Sequence, residues 1–378
     1  MRRWNGWGDD TINMALPESA DAYLTQLLMA GNLLEDCTLA QAISKVPTSR
    51  LSKSHDLISV DKELRLRHAR GQSLPDWLAM RSGDIGIFPD GVCLPKNRQE
   101  IQTILSFASK EGIDLIPYGG GTSVAGHINP NQSERPIVTV SLSHMNQLLE
   151  LDQQSQLATF SAGTPGPMVE AQLRAKGYTL GHFPQSFELS TIGGWVASRS
   201  SGQQSLRYGR IEQLYAGGIM ETFSGPLALP TFPASSAGTD LREIVLGSEG
   251  RFGIISEVKV RVSQLPEQEQ FLVYFFPNWQ KASKFCQAVV QQRSLLSMLR
   301  VSNAKETKTQ LKLAGHEKAI ALLEKYLLLR GCGQEKCMLT LGLTGSKLQI
   351  SSTKKQIKTF IKKYKGISTG ALLGQQWA

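Results

Sequence analysis

The sequence predicts an α+β protein with a mainly helical N-terminal segment and two regions in which helices and strands alternate. Apolar residues recur at helical spacing between residues 101 and 108, and valines between residues 258 and 262 alternate with charged residues, as in a half-buried strand. Strand-like and helix-like stretches continue to alternate after residue 267. A chain of 378 residues with 41% hydrophobic content is long enough for two or three domains with their own cores.

Residues 1–86 form the first predicted region. It contains several apolar-periodic stretches and a charged segment, DKELRLRHAR, at residues 61–70, and these patterns favour helices. We expect Trp4, Trp7 and Trp77 to be packing residues rather than ligand contacts. No group of side chains in this region indicates chemistry.

Residues 87–266 form the second predicted region. It begins with a helix whose apolar residues share one face and which stops at Gly112, and a short apolar strand follows. Further strands are predicted over residues 136–142 and 156–161. Thr164 is the predicted N-cap of a second helix, with Pro165 in its first turn and Gly177 just past its end. The alternating valines predict the last strand of the region.

Residues 267–378 form the third predicted region. Strands are predicted over residues 271–276, 298–301 and 337–343, with a helix over residues 279–290, another before the third strand and a lysine-rich helix after it. This alternation suits a sheet covered by helices on one side.

The last predicted helix carries much of the net charge of +9 and interleaves lysines with apolar residues. The lysines crowded there are Lys347, Lys354, Lys355, Lys358, Lys362, Lys363 and Lys365. We interpret them as the solvated face of an amphipathic helix, and attraction to anionic lipid or a phosphorylated substrate is the alternative. No nucleic-acid partner is expected, because no recognised binding motif accompanies the charge.

Several protein classes do not fit the composition. No apolar run reaches the roughly 20 residues that span a bilayer. Arg2 and Arg3 could begin a twin-arginine signal, but the polar, glycine-rich WNGWGDD follows them, and we expect a cytoplasmic protein. The five cysteines are an odd number, which argues against a disulfide framework. No metal site is predicted, since Cys332 and Cys337 have no second pair or nearby histidine.

The stretch PYGGGTSVAG, residues 117–126, places three consecutive glycines after a short apolar strand, followed by Thr122 and Ser123. Glycines let backbone N–H groups approach a polyanion, and the two hydroxyl groups can bind the same oxygens. A flexible glycine turn is the alternative. The absence of a following lysine excludes a P-loop, and the absence of a following helical period argues against a Rossmann dinucleotide site. Valine at Gly120 should block a phosphate, whereas at a packing glycine it should reduce stability instead.

The glycine stretch and its surroundings resemble the flavoproteins with the vanillyl-alcohol-oxidase-type, or PCMH-type, FAD domain. The frame from FPDGVCLPKNRQE into PYGGGTS fits, as do GHFPQSFELSTIGGWVASRSSGQQSLRYG at residues 181–209 and GSEGRFGIISE at residues 247–257. With WNGWGDD at residues 4–10, the chain is most similar to the alkyldihydroxyacetonephosphate synthase branch and its bacterial relatives.

The resemblance implies a domain architecture. Residues 87–266 would be an FAD domain of two α+β subdomains with the cofactor extended between them, preceded by the helical segment 1–86. Residues 267–378 would be an α/β cap domain that covers the flavin ring and supplies most of the substrate pocket. The cap is expected to be incomplete, because family members continue beyond GALLGQQWA through an arginine-bearing segment to a tyrosine and a histidine cluster. The catalytic residues, unassigned here, are therefore expected beyond Ala378.

The resemblance also implies the FAD contacts. The pyrophosphate would be held by the glycine stretch, at Pro117, Gly119, Gly120, Gly121, Thr122, Ser123 and Val124. Polar contacts along the phosphates and ribityl chain would come from Gln185, Ser186 and Thr191, and a further contact segment from Arg199, Ser200 and Gly202. The adenine end would be lined by Glu249, Gly250, Gly253, Ile254 and Ile255.

Two further features of the implied site concern glycines and histidines. Gly193 and Gly194 lie at a predicted helix start, where free N–H groups favour an anion, and tight helix packing is the alternative. His127 and His182 lie beside the flavin segments, and only some relatives form a histidyl link to the ring, so we expect noncovalent FAD. None of the six histidines has the companions of a general base.

The implied function is an FAD-dependent enzyme of ether lipid synthesis. It would exchange the acyl group of acyl-dihydroxyacetonephosphate for a fatty alcohol, with the flavin acting as a covalent trap for substrate and no net redox change. The alternative on the same fold is an FAD-linked dehydrogenase or oxidase of 2-hydroxy acids. A second alternative is an inactive, truncated flavin-binding fragment. A small-molecule or lipid-like substrate is implied, and peripheral membrane contact and a homodimer are partner hypotheses.

Overall fold

The computed structural model describes residues 2–29, 31, 35–314 and 316–369, so the predicted end of the chain at residues 370–378 lies outside the described residues. The chain divides into two compact units. The first unit comprises Met1–Ile12, Leu34–Gly202 and Gly209–Gln264, and the second comprises Asn13–Leu33, Gln203–Tyr208 and Leu265–Ala378. In the described part of the chain, none of the helices has the length and hydropathy needed to cross a membrane.

The helices are α1 (Glu18–Leu28), α2 (Leu39–Ser44), α3 (Lys62–Arg67), α4 (Leu74–Ser82), α5 (Arg98–Glu111), α6 (Gly166–Arg174), α7 (Ile192–Ser198), α8 (Ser205–Tyr208), α9 (Ile211–Leu214), α10 (Leu241–Val245), α11 (Trp279–Gln291), α12 (Ala304–Leu313), α13 (Glu317–Leu329) and α14 (Lys347–Lys363). The strands are β1 (Ile58–Ser59), β2 (Gly91–Cys93), β3 (Asp114–Tyr118), β4 (Ile137–Ser141), β5 (Leu148–Asp152), β6 (Leu157–Ser161), β7 (Tyr178–Thr179), β8 (Tyr215–Thr222), β9 (Gly225–Leu229), β10 (Ile254–Arg261), β11 (Ser263–Gln264), β12 (Gln268–Phe276), β13 (Met298–Val301), β14 (Cys337–Gly345) and β15 (Ile367–Ser368).

The first unit contains two main sheets. One has the order β1-β2-β4-β3, in which β2, β4 and β3 are parallel, and the other is antiparallel with the order β5-β6-β10-β8-β9. One apolar cluster joins them, with Ile101 from α5, Val140 from β4, Phe160 from β6 and Val258 from β10 among its buried members. The shared core positions the loop that follows β3 beside α7.

Local sequence signals explain the boundaries of α5 and the pattern of β10. The Asn97 side chain accepts the Glu100 N–H at the start of α5, and Gly112 ends the helix in the left-handed conformation, as predicted. The apolar residues predicted to share one face of α5 are buried. In β10, Val258 and Val260 are buried between partly exposed charged residues, which confirms the half-buried strand.

The predicted cap of α6 is wrong. Pro165, not Thr164, is the N-cap of α6, and the Thr164 hydroxyl donates to the Ser161 carbonyl at 2.7 Å. Thr164 is completely buried in the turn after β6, so its hydroxyl group pairs with the strand end rather than with the helix. Gly177 adopts a positive φ of 83° beyond the helix end at Arg174.

The N-terminal region differs from the mainly helical segment that was predicted. Helices α1 to α4 are short and cover fewer than half of the first 86 residues. α1 belongs to the second unit, while α2, α3 and α4 belong to the first. Ala42 of α2 and Leu66 of α3 share a small apolar cluster with Ile85 and Phe88, and Trp4 packs against it. Short helices of this kind are stabilised mainly by such packing.

The second unit is built on the antiparallel sheet β13-β14-β12-β15. Tyr274 and Phe276 of β12 share an apolar cluster with residues of α11 and α14, whereas Val273 and Phe275 share another with residues of α12 and α13. Because successive strand residues point to opposite faces, these clusters place helices on both sides of the sheet, and the prediction of a single covered side is wrong.

Candidate cofactor-binding site

The glycine loop, residues 119–124, leaves the end of β3. The Tyr118 carbonyl still accepts the Leu142 N–H at 3.0 Å, and the chain then turns away from the sheet. Gly121 has a positive φ of 66°, and a Cβ atom there would lie 1.9 Å from the Tyr118 hydroxyl oxygen. Only glycine fits this position.

A row of unpaired backbone donors runs along this loop. In the described part of the chain, the N–H groups of residues 119–124 donate to no carbonyl or side chain, although Gly121 is buried and most of its neighbours are only partly exposed. The Thr122 hydroxyl also has no partner among those residues, whereas the Ser123 hydroxyl contacts His127 Nδ1 at 3.1 Å. Because buried N–H groups are rarely left unpaired, this row has the character of an anion site.

Two cavities adjoin the glycine loop. One, of about 290 Å³, lies between the loop, residues 186–191 and α7, and is lined mainly by glycine, serine and threonine residues. The other, of about 70 Å³, shares six lining residues with the first: Gly119, His127, Ile128, Thr191, Gly194 and Glu249. It is otherwise more apolar, with Pro117, Leu142, Ala197, Gly253 and Ile255 among its lining residues. A cavity rich in hydroxyl groups therefore adjoins a smaller apolar slot.

Two of the loop glycines are required by packing. A Cβ atom on Gly120 would lie 1.8 Å from the Leu189 carbonyl oxygen, and one on Gly119 would lie 2.4 Å from Thr191 Oγ1. Both distances are far below van der Waals contact, so these glycines let the loop approach residues 189–191 closely. Close packing between the two loops thus shapes one wall of the larger cavity.

The start of α7 does not offer the free donors that were predicted. The N–H groups of Ile192 and Gly193 donate to the carbonyls of Thr164 and Ala162 at 3.0 and 2.8 Å, and the Gly194 N–H donates to Thr191 Oγ1 at 3.3 Å. These N–H groups of the first turn already have partners inside the protein, so the prediction that they are free to bind an anion is wrong. A Cβ atom on Gly193 would lie 2.7 Å from that of Ala162, which favours the packing alternative.

Most of the predicted contact residues lie around the two cavities. The predicted residues that line one or both are Pro117, Gly119, Gly120, Gly121, Thr122, Ser123, Val124, Ser186, Thr191, Gly193, Gly194, Ser200, Glu249, Gly250, Gly253 and Ile255. Four predicted residues line neither cavity: Gln185, Arg199, Gly202 and Ile254.

Each of those four has a different environment. Gln185 is exposed, and Arg199 forms an ion pair with Glu243. Gly202 packs against the backbone, because a Cβ atom there would lie 2.7 Å from the Phe183 nitrogen. Ile254 is buried in β10, while its neighbour Ile255 lines the smaller cavity.

Several lining residues were not predicted. They include Tyr118, Ala125, His127, Ile128, Leu142, Ser190, Trp195, Ala197 and Ser198. Helical periodicity could have identified part of this set, because Thr191, Gly194, Trp195 and Ser198 are spaced as one face of α7. The Trp195 indole N–H donates to the Ser190 hydroxyl at 2.7 Å, which joins that face to the preceding loop.

The two histidines near the flavin segments have different positions. His182 is 1% exposed and lines neither cavity, and its Nε2 lies 2.7 Å from the Ser200 hydroxyl oxygen. Burial lowers the pKa of His182 to about 4, so the ring is neutral at physiological pH. His127 lines both cavities, with Nδ1 3.7 Å from Glu249 Oε2. Only His127 is placed to face a ligand.

The N-terminal region supports the glycine loop. The Gln72 N–H donates to the Ser123 carbonyl at 2.7 Å. The same N-terminal region also holds Asn129, which lies shortly after the loop. Its Oδ1 accepts the Gly71 N–H at 2.9 Å, and its Nδ2 donates to Asp76 Oδ1 at 2.7 Å. The outer side of the loop is therefore held by residues about 50 positions earlier in the chain.

These features fit FAD. A row of unpaired N–H groups suits a pyrophosphate, and an adjoining apolar slot suits an adenine ring. The described residues contain no group of three or more histidine, cysteine, aspartate or glutamate side chains arranged to hold a metal ion.

Comparisons with known proteins agree with this chemistry. Residues 89–218 match the family model described as FAD binding domain, and residues 265–371 match FAD linked oxidases, C-terminal domain. The alkyldihydroxyacetonephosphate synthase of Dictyostelium discoideum is 30% identical over 420 residues, which include 100% of this chain and 68% of that protein. The enzyme of the same name from Trypanosoma brucei brucei is 31% identical over 312 residues, and the match covers 74% of this chain and 51% of that protein.

A solved structure gives the same result in three dimensions. Alkyldihydroxyacetonephosphate synthase in the P212121 crystal form superposes with a TM-score of 0.89 at 27% identity, and the match covers 100% of this chain and 74% of that chain. The mixed helix and sheet architecture is therefore the PCMH-type fold of that enzyme. On this fold, with FAD as its cofactor, the chain belongs to the flavoprotein family that includes alkyldihydroxyacetonephosphate synthase.

Proposed function

We propose that this protein acts in ether lipid synthesis, by exchanging the acyl group of acyl-dihydroxyacetonephosphate for a fatty alcohol. The observation that carries this proposal is the alignment of the whole chain with the Dictyostelium protein named alkyldihydroxyacetonephosphate synthase, at 30% identity. The chain spans about half to two thirds of the two relatives compared above, so the activity of the whole enzyme is inferred from them.

The residues around the two cavities have defined tasks in this proposal. The unpaired N–H groups of the glycine loop and the Thr122 hydroxyl would hold the pyrophosphate, and the apolar slot around Leu142 and Ile255 would hold the adenine. When bound, FAD supplies the reactive ring. We propose noncovalent binding, because His182 lies outside both cavities and His127 lines the cavities assigned to the pyrophosphate and the adenine, away from the reactive ring of the cofactor.

The first test of the proposed function asks whether the protein binds flavin, and the second asks whether it catalyses the exchange. The purified protein should carry a flavin that acid precipitation releases into the supernatant, and flavin that stays in the pellet would contradict noncovalent binding. The flavin-loaded protein should then transfer a labelled fatty alcohol onto acyl-dihydroxyacetonephosphate with release of the fatty acid. Transfer without flavin would contradict the proposal, and no transfer by a protein that holds flavin would favour the alternative of an inactive flavin-binding fragment.

A second candidate is an FAD-linked oxidoreductase of 2-hydroxy acids. The match of residues 265–371 to the C-terminal domain of FAD linked oxidases favours it. The same preparation distinguishes the two, because this enzyme would bleach its flavin when mixed with a 2-hydroxy acid in the absence of oxygen. Exchange without bleaching supports the first function, and bleaching without exchange supports the second.

We also propose that the protein contacts membranes peripherally, through α13 rather than through the lysine-rich α14. The apolar residues of α14 are buried, which leaves a solvated lysine face with Leu348 as an exposed exception. On α13, by contrast, Leu322, Leu328 and Leu329 are 71%, 66% and 86% exposed, and the exposed Lys318 and Lys325 lie beside them. Exposed leucines flanked by lysines suit the surface of an anionic membrane.

Vesicle sedimentation tests this contact. Replacing both Leu322 and Leu329 with glutamine should reduce binding to vesicles containing anionic phospholipid about tenfold or more, because each leucine contributes about 1.5 kcal/mol or more when buried. Leu348→Gln, at an equally exposed leucine of α14, is the matched control and should bind normally. Equal binding by the double variant would rule out α13 as the contact. A homodimer and a cytoplasmic location stay predictions.

A further inference from the structure

The first residues of the chain form a small hairpin within the first unit. Arg2 and Asp9 form an antiparallel bridge, and the Arg3 N–H donates to the Gly8 carbonyl at 2.9 Å. The Asp9 carboxylate then accepts the Thr11 N–H at 2.9 Å, and the Ile12 N–H donates to the Asp9 carbonyl at 3.1 Å. We call residues 2–12 the N-terminal hairpin.

This hairpin is anchored close to the cofactor-binding site. Trp4 packs against the apolar cluster that contains Leu66 and Ile85. The Arg67 guanidinium donates to the Arg2 carbonyl at 3.0 Å, which fixes the backbone from which the Arg2 side chain extends. The backbone of Arg2 is thus held in place independently of the contacts of its side chain.

The Arg2 side chain reaches the centre of the glycine loop. Its Nη1 donates to the Gly120 carbonyl at 2.7 Å, in a partly buried contact between residues 118 positions apart. Because a trans peptide is planar, the Gly120 carbonyl and the Gly121 N–H point in opposite directions. Holding the carbonyl on Arg2 therefore fixes the direction of the Gly121 N–H, one of the unpaired donors beside the larger cavity.

A second carbonyl of the loop is held in the same manner. The Ser123 carbonyl accepts the Gln72 N–H at 2.7 Å, and the following N–H group of Val124 is again unpaired among the described residues. Arg2 differs from Gln72 in carrying a charge and in belonging to a short segment that contains no helix and is part of none of the sheets. Undocking of the hairpin would therefore break no helix and no sheet.

We propose that Arg2 is a positioning residue for FAD, and that docking of the N-terminal hairpin and binding of FAD favour each other. The proposal rests on FAD occupying the cavities described above. Arg2 holds the Gly120 carbonyl away from the pyrophosphate, so the loop N–H groups do not reorient when the cofactor binds. Coupling between two binding equilibria is reciprocal, and bound FAD must stabilise the docked hairpin as much as the hairpin stabilises bound FAD.

Two measurements on the FAD-depleted protein test this coupling. Arg2→Ala should weaken FAD binding about tenfold or more, as expected for loss of a hydrogen bond from a charged donor, and Arg2→Lys should recover part of it. FAD should slow hydrogen exchange of the Arg3 and Ile12 N–H groups in the wild type but not in Arg2→Ala. Arg81→Ala, which removes an exposed ion pair with Asp36, should match the wild type in both measurements.

The outcomes are separable. Normal FAD affinity in folded Arg2→Ala would overturn the positioning role of Arg2 and leave the assignment of the FAD site standing. FAD-dependent protection of the hairpin in that variant would do the same. If Arg2→Ala does not fold, Arg2→Gln provides a neutral donor, and full affinity and protection with glutamine would overturn the charge-assisted contact. No FAD binding by the wild type would overturn the site assignment itself, and the proposal with it.

Discussion

Replacing Gly120 with valine is expected to destabilise the protein by roughly 3 kcal/mol or more and to abolish FAD binding with it, because overpacking against rigid backbone cannot relax cheaply. The first atom of the new side chain would lie 1.8 Å from the Leu189 carbonyl oxygen. The two loops would have to separate, and the wall of the larger cavity would be lost. Urea unfolding and flavin titration of the same samples measure the two effects.

The glycine at position 194 offers the matched contrast. It lines both cavities, and among the described residues the atom nearest to an added Cβ would be Thr191 Oγ1, at 3.3 Å. Gly194→Ala should therefore keep or slightly raise stability, as helical alanine does by up to about 1 kcal/mol, and weaken FAD about tenfold by placing a methyl group beside the cofactor. Gly333→Ala, whose Cβ would meet Leu328 Cδ1 at 3.8 Å in the second unit, is the control and should change neither property.

These two glycine variants separate packing from binding. Loss of affinity in Gly120→Val with unchanged stability would show that Gly120 does not support the fold as the distances require. Unchanged affinity in folded Gly194→Ala would place FAD away from the two cavities. Stability and affinity that change together in both variants would show that the glycines act only through folding.

Acid should destabilise the protein strongly between pH 6.5 and 4, because His182 is buried in its neutral form. Burial lowers its pKa from 6.5 to about 4, so the unfolded chain takes up a proton in this range before the folded chain does. Stability is therefore unaffected by this group above pH 6.5 and falls as the pH drops through the window. The loss approaches about 3 kcal/mol at pH 4, and His68, whose pKa burial also lowers to about 4, should add to it.

The variant that tests this prediction is His182→Gln. A glutamine amide can keep the hydrogen bond to the Ser200 hydroxyl, but it does not titrate in this range. Urea unfolding at pH 7, 6, 5 and 4 should show a weaker dependence on pH for the variant, by about 1.4 kcal/mol per pH unit within the window. Parallel curves for variant and wild type would show that His182 is not the group whose protonation destabilises the fold.

Patterns confined to a short stretch of sequence predicted much of this protein. The spacing of apolar residues in α5, its stop at Gly112 and the alternation in β10 depend on neighbours within a few positions, and the structure agrees with all three. The glycine loop belongs to the same class only in part, since three glycines and two hydroxyl side chains fit either a phosphate site or a flexible turn, and the second match at residues 247–257 favoured the phosphate site. The family resemblance extended this to FAD.

Some errors had a signal in the sequence that was not used. Residues 271–276 of β12, FLVYFF, form a continuous apolar run, which is typical of a strand buried on both faces. This run could have predicted the helices that cover both sides of that sheet. Thr191, Gly194, Trp195 and Ser198 likewise follow the period of a helix, and they line the larger cavity together.

The sequence by itself determined the local elements, because those depend on nearby residues, and through the family resemblance it gave the class of cofactor and the prediction that the glycine loop holds the phosphates. Only the tertiary structure decided how each residue serves the site. Gly120 packs against Leu189, the first N–H groups of α7 pair with the turn after β6, and Arg2 binds a carbonyl 118 positions away. Such contacts join segments that are distant in the chain, and no local pattern encodes which hydrogen-bond donors folding will pair and which it will leave for a ligand.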